Sequence, residues 1–394
     1  METALFSFLY EINKIIDQRE IGVALYIDLS KAFDTLCHDI LIQKLLLYGI
    51  RGTPLQWFKS YLQGRTQRVK VSSDRGSILS DIANITVGVP QGSILGPLLF
   101  VIYANDLHYV FKDLPVILMS YADDTNLIIK VSNRSDIEPM VDLVFSKVQD
   151  WMNKNKLVIN NDKTACMFFR SPRSNLCLNN VTLAGTRMDF CREIRLLGFY
   201  VDCHLNYNAH IEHLCKKLSS VCFGLRTLSS QCSPTILKTL YYANFYSHLR
   251  YGIIHWGRAV GVNRVFVLQK YIVRVIKGLK FGETCREAFK ELNILTVAGV
   301  YIYELLCFVR NNMMCFQKAF AATPYETRHK NSLCVDQHTT TLYQKSAHYN
   351  GCLIFNALPN KIKCAPTINI FKSKIKKLVI DISPYSIKEF LDKI

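Results

Sequence analysis

Two acidic stretches carry the side chains best able to do chemistry. Tyr121-Ala122-Asp123-Asp124 places two carboxylates next to each other, and Asp28 stands at the end of a separate apolar segment. Adjacent carboxylates repel each other, and the arrangement becomes favourable when a divalent cation lies between them. Hard cations need oxygen ligands, so these acids are candidates for a metal site. The alternative interpretation is that Asp123 and Asp124 are solvated turn residues and that Asp28 caps a helix.

Apolar segments beside these acids predict the strands that position them. Val116 to Met119 and Leu127 to Ile129 are short apolar runs with β-branched members on either side of the Asp-Asp pair. This pattern predicts a hairpin with the acids at its tip. Val23 to Leu29 reads as a buried strand, and active sites of α/β sheets collect acids at the carboxyl end of such strands.

A loop rich in glycine and proline precedes the acidic hairpin. Residues 87–97 contain three glycines and two prolines, with the long polar side chain of Gln91 in the middle. The backbone must therefore turn sharply and approach another group closely. A purely structural loop would explain the glycines, but it would not explain why the turn comes so shortly before the hairpin.

Hydrophobic periodicity predicts the remaining elements. A polar turn at 157–164 is expected between two strands, the second covering 165–169. Beyond about residue 205 the patterns are those of long helices. The helices predicted along the chain cover residues 1–18, 38–48, 54–62, 98–103, 136–156, 210–228, 234–251 and 265–276.

Composition indicates a folded, intracellular protein with a polyanionic partner. The 394 residues are 49% hydrophobic and 20% charged, with 48 Lys and Arg against 31 Asp and Glu, a net charge of +17. Such a positive balance favours nucleic acid before membrane. The 14 cysteines include no C-x-x-C pair and no secretory signal is visible, so we expect free thiols in a reducing compartment. No apolar run reaches the roughly 18 residues of a spanning helix, so we expect a soluble protein.

Four ordered motifs resemble those of the reverse transcriptases of non-LTR retrotransposons, and most closely those of the jockey-type elements. They occur in the family's order and at compatible spacing. The resemblance extends through the helical region and covers nearly the whole chain. The matching phrases are Tyr26-Ile27-Asp28-Leu29-Ser30-Lys31-Ala32-Phe33-Asp34, Gly88-Val89-Pro90-Gln91-Gly92-Ser93, Tyr121-Ala122-Asp123-Asp124 and Leu197-Gly198, followed by Tyr251-Gly252 with Trp256 and Phe355-Asn356-Ala357-Leu358-Pro359.

The resemblance implies two-metal nucleotidyl transfer onto a primer 3′-hydroxyl. Asp28 and Asp123 would be the principal ligands of two Mg²⁺ ions, with Asp124 beside them; Mn²⁺ could replace Mg²⁺. The backbone carbonyl of Leu29 would be a further ligand. Lys163 matches the family's candidate proton donor to the departing pyrophosphate, with a solvated turn lysine as its alternative.

The resemblance also implies where the substrates bind. Phe33 would lie under the incoming sugar and clash with a ribose 2′-hydroxyl, so selecting deoxynucleoside triphosphates; an ordinary core phenylalanine is the alternative. Gln91 would line the nucleotide pocket, and Gly92 would let the backbone come close to an RNA template and a DNA primer. Leu197 and Gly198 resemble the hairpin that holds the primer terminus.

The expected fold is an α/β (α+β) right-hand polymerase palm with a four-stranded, largely antiparallel sheet. Residues 1–204 would form the palm with incomplete fingers, since only 27 residues precede Asp28 and the family has a fingers region there. Residues 205–290 would form an all-helical thumb and 291–394 a basic C-terminal extension. The chain therefore looks truncated at its N-terminus, and nuclear action is expected from the family's mode of integration.

Two other functions remain open on the sequence. A catalytically inactive, truncated remnant would bind nucleic acid through its basic thumb, and this binding would weaken steeply as salt rises. A scaffold built on a polymerase palm would bind protein partners independently of salt.

Overall fold

The computed structural model describes residues 1–74, 76–170, 178–183, 185–280, 282–316 and 332–394. The strands are β1 (Ile21–Ile27), β2 (Thr66–Gln67), β3 (Lys70–Ser73), β4 (Gly76–Leu79), β5 (Ala83–Asn84), β6 (Val116–Tyr121), β7 (Asp124–Val131), β8 (Ala165–Phe169), β9 (Asn180–Leu183), β10 (Thr186–Asp189), β11 (Glu193–Leu196) and β12 (Phe199–Asp202). The α-helices are α1 (Glu2–Asp17), α2 (His38–Leu47), α3 (Gly52–Leu62), α4 (Leu95–Ala104), α5 (Ile137–Lys154), α6 (Asn208–Leu228), α7 (Pro234–Leu240), α8 (Ser247–Arg250), α9 (Ile253–Trp256), α10 (Val262–Lys277), α11 (Arg286–Glu291), α12 (Val297–Asn311), α13 (Ala347–Ala357), α14 (Asn360–Lys363), α15 (Ile368–Ile382) and α16 (Ile387–Leu391).

The chain divides into two compact units. The first comprises Met1 with Glu20–Arg192, and the second comprises Glu2–Arg19 with Glu193–Ile394. In the described ranges, no helix combines the length and the apolar character that crossing a membrane requires.

A four-stranded antiparallel sheet forms the centre of the first unit, in the order β6-β7-β1-β8. β1 pairs with β7 from Ile21↔Val131 to Ile27↔Thr125, and with β8 on its other edge. All seven residues of β1 are buried, which explains why this strand reads as a continuous apolar run. The four-stranded antiparallel sheet expected from the sequence is therefore confirmed.

Helices α2 to α5 pack in one hydrophobic core with the sheet. Val23, Leu25 and Ile27 of β1 share this core with residues such as Leu41 of α2 and Val144 of α5. A buried lysine ties α2 to the end of α4, since the Lys44 ammonium donates to the Tyr103 carbonyl at 2.5 Å and pairs with Asp106 at 2.8 Å. These contacts join two of the helices that pack with the sheet in this core.

Helix α12 is the core of the second unit. Its residues Val300, Ile302 and Leu305 are fully buried, and Gly299 allows close packing, since a methyl group there would lie 2.9 Å from Val379 of α15. Helix α1 belongs to this unit because its apolar face meets aromatic residues of it, with the rings of Phe6 and Phe308 4.6 Å apart.

The end of α1 is also tied to the second unit by hydrogen bonds. The Asp17 carboxylate accepts from the backbone N–H groups of Thr339 and Thr340 at 3.0 and 2.7 Å. The helix predicted over residues 1–18 is confirmed as α1. The second unit also includes the β11–β12 hairpin, which packs against α6, where the rings of Phe199 and His210 stack at 4.2 Å.

Most predicted elements match the structure, with two differences. The strand predicted before the polar turn at 157–164 is wrong, since the described residues between α5 and β8 make only a single antiparallel bridge, between Ile159 and Leu29. Residues 234–251 are helical as predicted, but a π-helical stretch, Tyr241–Tyr246, interrupts the α-helix between α7 and α8. Periodicity does not distinguish such a stretch from an ordinary helix.

Candidate active site

The β6–β7 hairpin presents the two neighbouring acids as predicted. Tyr121 pairs with Asp124, so Ala122 and Asp123 form a two-residue turn. Ala122 has a φ of +54°, a left-handed conformation that is uncommon for alanine and that recurs at functional sites. Asp123 is therefore the acid in the turn, while Asp124 begins β7.

Asp28 lies beside this hairpin because of the sheet register. Ile27 is opposite Thr125, which places the next residue of the chain, Asp28, next to Asp124. Burial raises the pKa of Asp124, and the negative charges of Asp123 and Asp28 raise it further. The three carboxylates are thus near enough to repel one another at one end of the central sheet.

These donors suit a divalent cation in their chemistry, since they are hard carboxylate oxygens whose repulsion a positive charge would relieve. In the part of the chain that the structure describes, however, no group of three or more His, Cys, Asp or Glu side chains is arranged so that it could hold a metal ion. The three acids are therefore neighbours but do not form a closed ligand set.

The turn after α5 clamps the backbone and side chain of Asp28. Asn160 N–H donates to the Asp28 carbonyl at 2.9 Å, and its side-chain amide donates to Asp28 Oδ2 at 3.1 Å. Ser30 N–H donates to the Val158 carbonyl on the other side of the Leu29–Ile159 bridge. The hydrogen bonds on the two sides of this bridge are accepted by the carbonyls of Asp28 and Val158. The carbonyl of Leu29 therefore takes part in neither of them.

Lys163 lies in the same turn and faces Asp28. Its ammonium nitrogen is 3.8 Å from Asp28 Oδ2, and its side chain is 70% exposed. The turn is closed by Asn160, whose carbonyl accepts from the Thr164 hydroxyl at 2.8 Å. The structure therefore brings Lys163 to the carboxylates but leaves it free to reach a ligand in solvent.

The loop at residues 87–97 docks on the turn that follows Asp28. Gly88 N–H donates to the Leu36 carbonyl and Val89 N–H to the Phe33 carbonyl, both at 2.8 Å. The Gly88 carbonyl accepts from His38 Nε2 at 2.7 Å. A methyl group on Gly88 would lie 2.7 Å from the backbone oxygen of Asp34, so the close approach predicted from the glycines occurs here.

The three residues predicted to bind nucleotide lie along this docked loop and turn. Phe33 is half-buried and packs on Phe100, with ring centres 5.1 Å apart. Gln91 is exposed and donates to Asp34 Oδ1 at 2.9 Å. Gly92 has a φ of +78° with open space beside it, which leaves room for a ligand against the backbone.

Leu197 and Gly198 belong to the second unit and form the two-residue turn of the β11–β12 hairpin. Leu196 pairs with Phe199, and φ is positive at both turn residues, +49° and +80°. Two positive φ values are typical of a type I′ turn, for which leucine is an unusual first residue.

Sequence reasoning assigned no role to three residues that the structure places at the site. Asn160 orients Asp28, His38 holds the Gly88 carbonyl, and Asp34 anchors Gln91. Each contact joins segments at least 50 residues apart, so no local pattern could have indicated it. The sequence signals are that Asp34 falls within the first motif phrase and that Asn160 lies in the polar turn expected before the strand at 165–169.

A family model described as reverse transcriptase (RNA-dependent DNA polymerase) matches residues 5–201, half of the chain. The chain belongs to the reverse transcriptase family. This family generally uses divalent metals, which agrees with the carboxylate chemistry of the site.

The curated proteins similar to this chain are RNA-directed DNA polymerases of non-LTR retrotransposons, as the motifs predicted. A probable RNA-directed DNA polymerase from transposon BS of Drosophila melanogaster is 27% identical over 73% of this chain and 32% of the relative. The RNA-directed DNA polymerase from mobile element jockey of the same species is 27% identical over 71% of this chain and 31% of the relative. The chain thus spans about a third of the length of these relatives.

A solved telomerase structure from Candida albicans, in complex with a fragment of telomeric RNA, is 11% identical. The match covers 79% of this chain and 53% of the telomerase chain, with a TM-score of 0.34.

Proposed function

We propose that this chain is the RNA-directed DNA polymerase portion of a non-LTR retrotransposon and adds deoxynucleotides to a primer 3′-hydroxyl. The observation that carries the proposal is the meeting of Asp28, Asp123 and Asp124 at one end of the central sheet, beside the docked loop at residues 87–97. Membership of the reverse transcriptase family supports it.

The side chains at this end of the sheet would hold the reacting groups. Asp28 and Asp123, with Asp124 and the Leu29 carbonyl, would hold two Mg²⁺ ions, or Mn²⁺. Metal ions bound there would lower the pKa of the primer hydroxyl and balance the charge on the departing pyrophosphate. Asn160 orients the Asp28 carboxylate through its amide.

Lys163 would give its proton to the departing pyrophosphate. Its ammonium group already faces Asp28 and is mostly exposed, so it can reach an oxygen of the leaving group from solvent. General acid catalysis of this kind contributes typically 10²- to 10⁴-fold.

The incoming deoxynucleoside triphosphate would lie along the loop at residues 87–97. The backbone N–H groups of Gly88 and Val89 hold this loop against the turn that follows Asp28. The half-buried ring of Phe33 is held by Phe100 and would exclude a ribose 2′-hydroxyl. Gln91 is held by Asp34 and would line the pocket, and the open side of Gly92 would receive the template–primer.

Residues 1–204 would act as the palm with incomplete fingers, 205–290 as the thumb, and 291–394 as a basic extension. Leu197 and Gly198 would hold the primer terminus. Residues 337–380 contain seven lysines and no acidic residue, which supports a nucleic-acid partner over a neutral one. We place its action in the nucleus, where target DNA would be primed.

Primer extension on a defined RNA template tests the proposal. With Mg²⁺ and all four deoxynucleotides, we expect extension to the template end, and omission of one deoxynucleotide should stop extension at the first template position that requires it. Salt-sensitive binding of template–primer without any extension would refute the polymerase and favour the inactive remnant. Loss of both would refute both functions.

A further inference from the structure

The turn between β11 and β12 is held by a residue far along the chain. The Tyr251 hydroxyl donates a hydrogen bond to the Leu197 carbonyl. A methyl group on Gly198 would lie 3.6 Å from the same hydroxyl, so the phenol ring lies directly against both turn residues.

Tyr251 is itself fixed on the hairpin by its neighbours. Trp256 Nε1 donates to the Tyr251 carbonyl at 3.1 Å, and Trp256 is fully buried. Gly252 has a φ of +61°, and a methyl group there would lie 2.7 Å from the ring of Phe199, the first residue of β12. The segment that begins at Tyr251 therefore docks on the hairpin with little room for movement.

The Leu197–Gly198 turn has an unfavourable backbone conformation that this hydrogen bond can stabilise. Leu197 adopts a φ of +49°, a conformation that costs a leucine about 1–2 kcal/mol and that glycine or asparagine accepts more readily. The hairpin has only four residues in each strand, and isolated two-stranded hairpins are marginally stable. A hydrogen bond at the Leu197 carbonyl stabilises the turn in its strained conformation.

We propose that Tyr251 is a positioning residue for the primer terminus. Its hydroxyl fixes the backbone of the Leu197–Gly198 turn. The Leu197–Gly198 turn then positions the last nucleotide of the primer. The inference rests on the proposed function, in which the hairpin holds that nucleotide. It adds a residue that acts through the hairpin and does not itself contact the substrate.

The test compares two tyrosine-to-phenylalanine variants of the full chain. Tyr251→Phe removes the bond to the turn. Tyr242→Phe is the matched control, because its hydroxyl donates at 3.0 Å to the carbonyl of Asn293, another residue with positive φ in the same unit. Thermal unfolding of both variants establishes that each is folded.

Steady-state primer-extension kinetics then distinguish a role of Tyr251 in positioning the primer from a purely structural role. For Tyr251→Phe we expect the KM for template–primer to rise about five- to tenfold, with kcat and the KM for deoxynucleotide changed less than twofold. Tyr242→Phe should match the wild type. If the two variants behave alike while the wild type extends primers, the inference is wrong and the proposed function stands. If the wild type extends nothing, the proposed function is refuted and the inference with it.

A second variant tests the physical reason. Leu197→Asn creates an Asn-Gly turn, the sequence that best accepts two positive φ values. In that background the effect of Tyr251→Phe on the KM for template–primer should shrink to about twofold or less. An undiminished effect would show that Tyr251 does not act by holding the turn.

Discussion

Substitution of Gly88 tests whether the loop at residues 87–97 lies close to the turn that follows Asp28. A methyl group on Gly88 would lie 2.7 Å from the Asp34 carbonyl oxygen and 2.8 Å from its Cα. Gly92 has nearly the same φ, +78° against +84°, but a methyl group there meets nothing within 4 Å. Gly88→Ala and Gly92→Ala therefore share the same backbone strain and differ in the steric overlap.

The size of the difference follows from the contacts. An alanine at these φ values costs about 1–2 kcal/mol at either position. At Gly88 the overlap is with backbone, so the loop must move away and lose the bonds from Gly88 and Val89 to the Leu36 and Phe33 carbonyls. Each is worth about 1 kcal/mol. We expect the free energy of unfolding to fall by about 3–4 kcal/mol in Gly88→Ala and by about 1–2 kcal/mol in Gly92→Ala.

Urea unfolding of the full chain, followed by tryptophan fluorescence and circular dichroism, measures both variants against the wild type. A Gly88→Ala variant no less stable than Gly92→Ala would refute the docking of this loop on Asp34. The same two variants also distinguish a loss of stability from a loss of substrate binding. Of the two glycines, only Gly92 faces the space assigned to a ligand.

Three further predictions concern other parts of the molecule. Asn160→Ala removes the hydrogen bond to the Asp28 carboxylate. We therefore expect kcat for nucleotide addition to fall about tenfold and the free energy of unfolding to change by about 1 kcal/mol. An unchanged kcat would contradict this prediction. Burial first, and nearby positive charge second, lowers the pKa of His210 to about 4 and of His255 to about 3. The unfolded chain takes up protons at these imidazoles below about pH 6.5, so stability should fall by about 2 kcal/mol per histidine between pH 7 and pH 5. Urea titrations of His255→Leu should therefore show a loss about 2 kcal/mol smaller than that of the wild type over this range, and an equal loss would be contrary evidence. Lys377→Ala on α15 should lower the slope of log affinity for template–primer against log salt by about one, and a slope equal to that of the wild type would exclude a phosphate contact there.

Local patterns were enough to predict the elements that carry the acids. The alternation of short apolar runs around Asp123 and Asp124 is a property of neighbouring residues, and the hairpin follows from it. The same holds for β1, whose burial on both faces is visible as an unbroken apolar run before Asp28. These parts of the site could be predicted because each depends on a few consecutive residues.

Long-range contacts could not be predicted in the same way. Asp17 is bound by Thr339 and Thr340, more than 300 residues away, and this contact helps to group α1 with the second unit. Asn160 reaches Asp28 across 132 residues. Hydrophobic periodicity carries no information on such pairs. The prediction of a strand before the turn at 157–164 was wrong for a related reason, since the apolar residues there support a single bridge and no continuous ladder.

Single-turnover incorporation of one templated deoxynucleotide tests whether Asp28, Asp123 and Asp124 form the polymerase site. Asp123→Asn keeps the size of the side chain and removes its charge, while Asp113→Asn changes an exposed carboxylate just before β6 and serves as the control. We expect Mg²⁺-dependent incorporation by the wild type and by Asp113→Asn, and a rate at least 10³-fold lower for Asp123→Asn, on the order of what one preorganised charge supplies. Incorporation by Asp123→Asn at the wild-type rate would contradict the assignment of the carboxylates at the end of the central sheet as the polymerase site.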